Sequence, residues 1–137
     1  MDVQKTHKEI SNKLVGKPEL IKSGKEAIAS LTTTRDMRAD EKGLVHGGFV
    51  FGLADYAAMI AVNEPFVVLG SANVRFIKPV RFGDRLKAVA EVKDVQKNSS
   101  RNPKFIVFCR VFNQKEECVF EGEFICFALK KHVLSET

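Results

Sequence analysis

The sequence contains few histidines, which are common metal ligands. It has no tryptophan, one tyrosine and three histidines in 137 residues. His7, His46 and His132 lie far apart, and none has a partner at the spacing of a metal-ligand motif, so we expect no metal site. His7 and His132 are expected to be exposed terminal residues.

Cysteine is also scarce, with three residues at positions 109, 118 and 126. Cys109, Cys118 and Cys126 lie in apolar strand-like runs, and their odd number gives no paired disulfide framework. We therefore expect reduced thiols in the core.

Long apolar runs and strong charge are missing as well. No run reaches the length of a membrane span, and the first ten residues lack the apolar segment of a secretory signal. The net charge of +5 is modest, and no basic stripe accompanies a nucleic-acid-reading element. We expect a cytoplasmic protein with no membrane or nucleic-acid partner.

What the sequence does contain is enough apolar residues for one core. A chain of 137 residues that is 45% hydrophobic fits a single domain. We divide it into an N-terminal helix and first strand (1–24), a core (25–129) and a tail (130–137). Eleven phenylalanines in so short a chain also suggest that apolar surface is shared with a second subunit.

The residue patterns predict an α+β fold. A short amphipathic helix is predicted at 3–15, strands at 19–22 and 25–37, and a long helix at 49–62 ended by Asn63 and Pro65. Four strands are predicted after it, at 67–77, 86–96, 105–112 and 118–129. Consecutive strands with short connections are expected to be antiparallel, so an antiparallel sheet of five to six strands should wrap the long helix.

The long helix has one charged residue, Asp55. Its sequence is apolar all round, which is typical of a helix enclosed on several sides. No side chain within the helix can pair with Asp55, and an unpaired buried carboxylate is costly or has a raised pKa. Such a residue serves either chemistry or a single structural hydrogen bond, and this pattern alone does not decide between them.

His46, Gly47 and Gly48 stand where the long helix begins. Two glycines leave the first N–H groups of the helix uncovered, and with the helix dipole these groups suit an anion or a developing oxyanion. The glycines could equally serve only to allow a tight turn into the helix.

Spacing along the helix limits how these groups can cooperate. Gly47 and Asp55 are separated by about 12 Å along the axis at 1.5 Å per residue. One carbonyl cannot touch both groups in a single chain, whereas two antiparallel helices of a symmetric pair could bring them together. If both groups act on one substrate, we expect at least a dimer.

These residues resemble a known family. The run from Gly43 to Phe49 with Asp55 nine residues after His46 is similar to hotdog-fold acyl-CoA thioesterases of the phenylacetate-degradation type. The segments 73–79 and 82–84 also resemble that family, and the likeness covers roughly residues 25–129.

The resemblance implies a role for each matching residue. Asp55 would be the catalytic carboxylate, acting as nucleophile or as base toward water. The Gly47 N–H would polarise the thioester carbonyl, with Gly48 beside it, and His46 would orient that loop or contact the carbonyl oxygen. The site would lie between two subunits, in a dimer or tetramer, with coenzyme A entering only as part of the substrate.

One position departs from the family pattern. Many members have Asn six residues before the His, where this chain has Asp40, which when ionised can only accept hydrogen bonds. Asp40 is either a second functional carboxylate or a loop cap, and we favour the cap. Relatives often have a hydroxyl on the strand after the helix, for which Ser71 is the candidate.

Basic residues after the helix are candidates for the phosphates of coenzyme A. Arg75, Lys78, Arg81 and Arg101 suit that role, since Arg binds phosphate in a bidentate manner. Each of them alone could equally be a solvated surface residue.

The prediction is therefore an acyl-CoA thioesterase, with three alternatives. A non-catalytic acyl-CoA-binding protein, as in hotdog-fold regulators, is the main one, although the segment before residue 25 is too short for a DNA-binding domain. A hydratase would show Asp and His close together in its catalytic segment, which we do not find. A structural dimer with a relict site is the third, and the intact His-Gly-Gly run and Asp55 argue against it. The acyl group is left open.

Overall fold

The computed structural model describes residues 1–98 and 101–135. Its elements, in chain order, are α1 (Asn12–Val15), β1 (Lys17–Lys22), β2 (Glu26–Thr32), a 3₁₀ turn (Arg35–Met37), α2 (Gly47–Val62), β3 (Val67–Phe76), β4 (Arg85–Asn98), β5 (Arg101–Phe112) and β6 (Cys118–Ala128).

The six strands form one antiparallel sheet in the order β1-β2-β4-β5-β6-β3. The sheet wraps α2, which contacts all six strands. Along β2, β5 and β6 buried residues alternate with more exposed ones, as expected for strands with one face on the core. This confirms the predicted α+β fold with a sheet around one long helix.

The second half of α2 forms the centre of the core. Every residue from 56 to 63 is buried, and the helix ends at Asn63 in the left-handed conformation (φ 52°), whose N–H donates to Met59 O over 2.8 Å. The predicted stop at Asn63 is therefore confirmed. The partly or fully exposed residues of α2 lie between Gly47 and Asp55, which mark the two ends of the predicted site.

The N-terminal helix predicted at 3–15 is wrong in extent, because only Asn12–Val15 is helical. Residues 1–7 instead run past the end of α2 and find their hydrogen-bond partners there. Asn63 Oδ1 accepts from Lys5 N (2.8 Å), and Asn63 Nδ2 donates to Val3 O (2.9 Å). These tertiary bonds satisfy backbone groups that a helix would have paired internally. His7 is consequently half-buried rather than exposed, with its Nδ1 2.8 Å from Thr6 Oγ1.

One further expectation needs correction, and the pairing of β3 could not be expected from the sequence. The second strand ends at Thr32, not at residue 37, because the buried Thr33 hydroxyl bonds to Arg81 O and Asp84 O and turns the chain away from the sheet. β3 and β4 are consecutive but not paired, since β3 pairs with β6. β3 is therefore an edge strand at one end of the sheet.

The remaining expectations about the chain concern its thiols and membrane spans. All three cysteines are free, with Cys109 and Cys126 buried and Cys118 partly buried. In the two stretches that the structure describes, no helix has the length and apolar character needed to cross a bilayer.

Candidate active site

The first turn of α2 is closely packed against two aromatic rings. His46 is the N-cap residue, and its backbone N–H donates to Met37 O over 2.9 Å. A Cβ atom at Gly47 would lie 3.0 Å from Phe76 Cε1, and one at Gly48 would lie 3.0 Å from His46 Cδ2. Neither glycine has a positive φ, so close approach rather than an unusual turn requires glycine here.

The N–H groups of Gly47 and Gly48 are available to a ligand. Phe49 N–H bonds to His46 O (3.0 Å), while no hydrogen bond within residues 1–98 and 101–135 uses the two glycine N–H groups. Gly47 lines a cleft of about 280 Å³, and Gly48 beside it is exposed. The cleft is bounded by α2 and by apolar side chains of the neighbouring loop and β3, which include Leu44, Val50, Phe76 and Ile77. Unpaired N–H groups at the start of a helix attract a ligand atom that carries negative charge.

Asp55 lies two turns further along α2 and is largely buried. Its Oδ1 is inaccessible and has no hydrogen-bond partner. Burial raises the pKa of Asp55 from 3.8 to about 6, because a charged carboxylate is poorly stabilised away from water. The carboxylate would thus be ionised at neutral pH and still basic enough to take up a proton near pH 6.

The wall beside Asp55 is the inner face of β6. Phe51, one turn before Asp55, packs on Phe124 with ring centroids 5.6 Å apart. Cys126 follows two residues later on the same fully buried face. Burial and the nearby Asp55 charge together raise the pKa of Cys126 to about 12. In the described residues no cation pairs with the Asp55 carboxylate, and the nearby Cys126 thiol is neutral.

Within one chain the two halves of the site stay apart, as their eight-residue separation on one straight helix requires (about 12 Å). The exposed apolar residues Leu44 (41%), Phe76 (56%) and Ile77 (44%) surround the glycine end. Such a cluster is typical of surface that another molecule covers.

The structure places His46 and Asp40 in the loop before α2. The His46 ring is exposed and meets Phe49 edge-on at 6.2 Å. Asp40 Oδ1 accepts from the N–H groups of Lys42 (3.0 Å) and Leu44 (3.2 Å), so its carboxylate caps this loop. Ser71 is exposed on β3 opposite Ile125.

The predicted phosphate-binding residues are in different situations. Arg75 pairs with Glu121, and Lys78 Nζ lies 2.7 Å from Glu117 Oε2. Arg81 is exposed, and its backbone N–H donates to the Asp84 carboxylate. Arg101 is exposed at the start of β5, in the β4–β5 hairpin. Arg75 and Lys78 thus already have carboxylate partners.

Two residues of the site were missed by sequence reasoning. Phe76 lies over Gly47, and Cys126 is near enough for the Asp55 charge to raise its pKa. Both come from strands distant in sequence, and alternation alone does not show which strand faces which turn of a helix. No group of three His, Cys, Asp or Glu side chains in the described part of the chain is arranged to hold a metal ion.

Among curated proteins, the chain is similar to parts of longer relatives. It is 46% identical over 124 residues to methylthioribose-1-phosphate isomerase of Aquifex aeolicus, matching 90% of this chain and 25% of that protein. It is 32% identical over 123 residues to the transcription factor FapR of Caldanaerobacter subterraneus, matching 90% of this chain and 58% of that protein. The chain thus spans a quarter to somewhat over half of the length of these relatives.

Solved structures confirm the hotdog fold. An uncharacterised protein of Pyrococcus horikoshii superposes with a TM-score of 0.90 at 55% identity, over 98% of both chains. The phenylacetic acid degradation protein PaaI of Thermus thermophilus, in a mutant form, superposes with a TM-score of 0.70 at 26% identity, over 85% of this chain and 95% of that one. The family model named Thioesterase superfamily matches residues 42–119, which include the His-Gly-Gly run and Asp55. The chain therefore belongs to the thioesterase superfamily.

Proposed function

We propose that this protein is an acyl-CoA thioesterase whose active site forms between two copies of the chain. The observation that carries the proposal is the buried Asp55 carboxylate, with one oxygen lacking any partner. A carboxylate held this way is destabilised when charged, which makes the group more basic and suits it to act as a nucleophile or base. No cofactor beyond the coenzyme A of the substrate is required.

The residues suit the bond changes of thioester hydrolysis. In one route Asp55 attacks the thioester carbon, coenzyme A leaves as its thiolate and takes a proton from water, and water then hydrolyses the acyl anhydride. In the other route Asp55 takes a proton from water, which attacks the same carbon directly; the carbon–sulfur bond then breaks, and the departing coenzyme A thiolate takes the proton from Asp55. Both routes place negative charge on the carbonyl oxygen, which the free N–H groups of Gly47 and Gly48 would stabilise.

A second copy would supply the missing half of the site. β3 is an edge strand, and six of its last seven residues are exposed. Such an edge invites pairing with an identical strand about a twofold axis. That axis would set two α2 helices antiparallel, so that Gly47 of one copy approaches Asp55 of the other. The same contact would cover the exposed Phe76 and Ile77.

Hydrolysis of a panel of aryl-, short- and medium-chain acyl-CoAs tests this proposal. Thioester loss should be followed directly by absorbance or mass, since thiol reagents could react with the free cysteines. Turnover by the wild type that collapses in a folded, still dimeric Asp55→Asn variant supports the proposal. Turnover by a strictly monomeric protein would contradict the shared site.

A non-catalytic acyl-CoA-binding role is the second candidate, because one similar relative is a transcription factor. Under this alternative, acyl-CoA would raise the thermal unfolding midpoint of the wild type without being hydrolysed. Asp55→Asn would then leave that stabilisation largely intact.

A further inference from the structure

A coenzyme A thioester would bring a polyanionic nucleotide end to this protein. Phosphates are bound most strongly by guanidinium groups that are free to form bidentate hydrogen bonds. Arg75 and Lys78 each have a carboxylate partner already. Other cationic residues are therefore needed to bind the nucleotide end.

Such a surface lies on the loop before α2. Arg35 and Arg38 both sit over the ring of Phe82, with guanidinium carbons 5.2 and 5.7 Å from its centroid. Phe82 remains 39% exposed. In the part of the chain that the structure covers, neither arginine forms an ion pair with a carboxylate. An aromatic ring thus holds two guanidinium groups in place without neutralising them.

Hydrogen bonds fix this cluster relative to the start of α2. Met37, between the two arginines, accepts from His46 N–H (2.9 Å), and Ala39 N–H donates to Leu44 O (2.7 Å). Phe82 N–H donates to Gly43 O (3.0 Å) in the same loop. The guanidinium groups and the free N–H of Gly47 thus belong to one bonded unit.

An open cavity of about 510 Å³ adjoins Arg35 and Arg38. The carboxylates of Asp36, Asp40 and Glu41 also line it. The Asp40 carboxylate accepts hydrogen bonds from two backbone N–H groups of its own loop. Within the described residues, neither Asp36 nor Glu41 forms an ion pair with the arginines. Arg38 Nε donates to Arg35 O (2.8 Å), whereas the remaining guanidinium N–H groups of Arg35 and Arg38 have no hydrogen-bond partner within residues 1–98 and 101–135, and both residues line this open space.

We propose that Arg35, Arg38 and Phe82 bind the phosphate-bearing nucleotide end of coenzyme A. The guanidinium groups bind the phosphates, and the Phe82 ring beneath them holds them in position. This assignment rests on the proposed function, because it names the protein surface that receives the far end of that substrate.

The test compares coenzyme A with pantetheine, which lacks the nucleotide. Binding of both is measured by calorimetry to the wild type and to an Arg35→Gln/Arg38→Gln variant. Arg110→Gln is the matched control, since Arg110 also lies over an aromatic ring, Phe108, at 4.8 Å, but on another part of the surface. Coenzyme A affinity should fall by at least about tenfold in the double variant alone, with pantetheine affinity unchanged.

Kinetics provide a second readout. In the double variant, KM for acyl-CoA should rise with little change in kcat, and acyl-pantetheine should be hydrolysed as by the wild type. Unchanged coenzyme A affinity, an equal loss for pantetheine, or no binding of coenzyme A by the wild type would overturn the assignment. If coenzyme A binds but no thioester is hydrolysed, the thioesterase proposal fails and the binding comparison still decides this one.

Discussion

Replacing Asp55 by Asn should stabilise the folded protein at pH 8. Burial raises the pKa of Asp55 from 3.8 to about 6. Each pKa unit corresponds to 1.36 kcal/mol of free energy between the two protonation states, so the shift amounts to about 3 kcal/mol. Asn is similar in shape to the neutral acid and carries no charge, so it avoids this cost.

The size of this stabilisation depends on pH in a defined way. Between about pH 4 and 6 the folded protein binds a proton at Asp55 more tightly than the unfolded chain does. Its free energy of unfolding therefore falls as pH rises through this window and levels off above it. The stabilisation of Asp55→Asn over the wild type should be near zero at pH 4 and reach about 3 kcal/mol above pH 7.

Urea unfolding of both proteins at pH 4 to 8, at one fixed protein concentration, measures this difference. The same samples should show that the more stable variant has lost hydrolysis. A stability difference that does not change with pH, or an Asn variant less stable at pH 8, would refute the link between the burial of Asp55 and its raised pKa.

Three further predictions concern the surroundings of Asp55 and the N-terminal segment. The value of kcat/KM should rise with pH through about 6, because the ionised Asp55 is the active form; a flat profile from pH 5 to 8 would contradict this. Cys126→Ser places a more polar group near the Asp55 charge and should lower the pKa of Asp55, seen by carboxyl ¹³C NMR and as a shift of the rate profile to lower pH. Asn63→Ala should lower the free energy of unfolding by about 2 kcal/mol, since the N–H of Lys5 and the carbonyl of Val3 lose their buried partner. Urea unfolding measures this loss. A loss below about 0.5 kcal/mol would show that Asn63 does not hold the N-terminal segment.

The local features of the site could be predicted from sequence. The alanine-rich run between the glycine pair and Asn63 forms α2 as predicted, because helix propensity and a left-handed cap act over neighbouring residues. A single carboxylate in an apolar helix also implied a buried, proton-binding Asp55, since desolvation follows directly from composition. The loop cap at Asp40 is a short-range bond of the same kind.

Long-range pairing was decided only by the tertiary structure. Alternation along β3 is the same whichever neighbour it has, so the sequence did not reveal that β6, not β4, is its partner. The N-terminal segment has too weak a local preference to form the predicted helix, and its tertiary bonds to Asn63 prevail. Arg75 forms an ion pair with Glu121, whereas Arg35 packs on the uncharged Phe82 ring and keeps its charge for a ligand. These outcomes depend on contacts between residues that are distant in the sequence. A periodic pattern within one segment does not show which other segment it will contact.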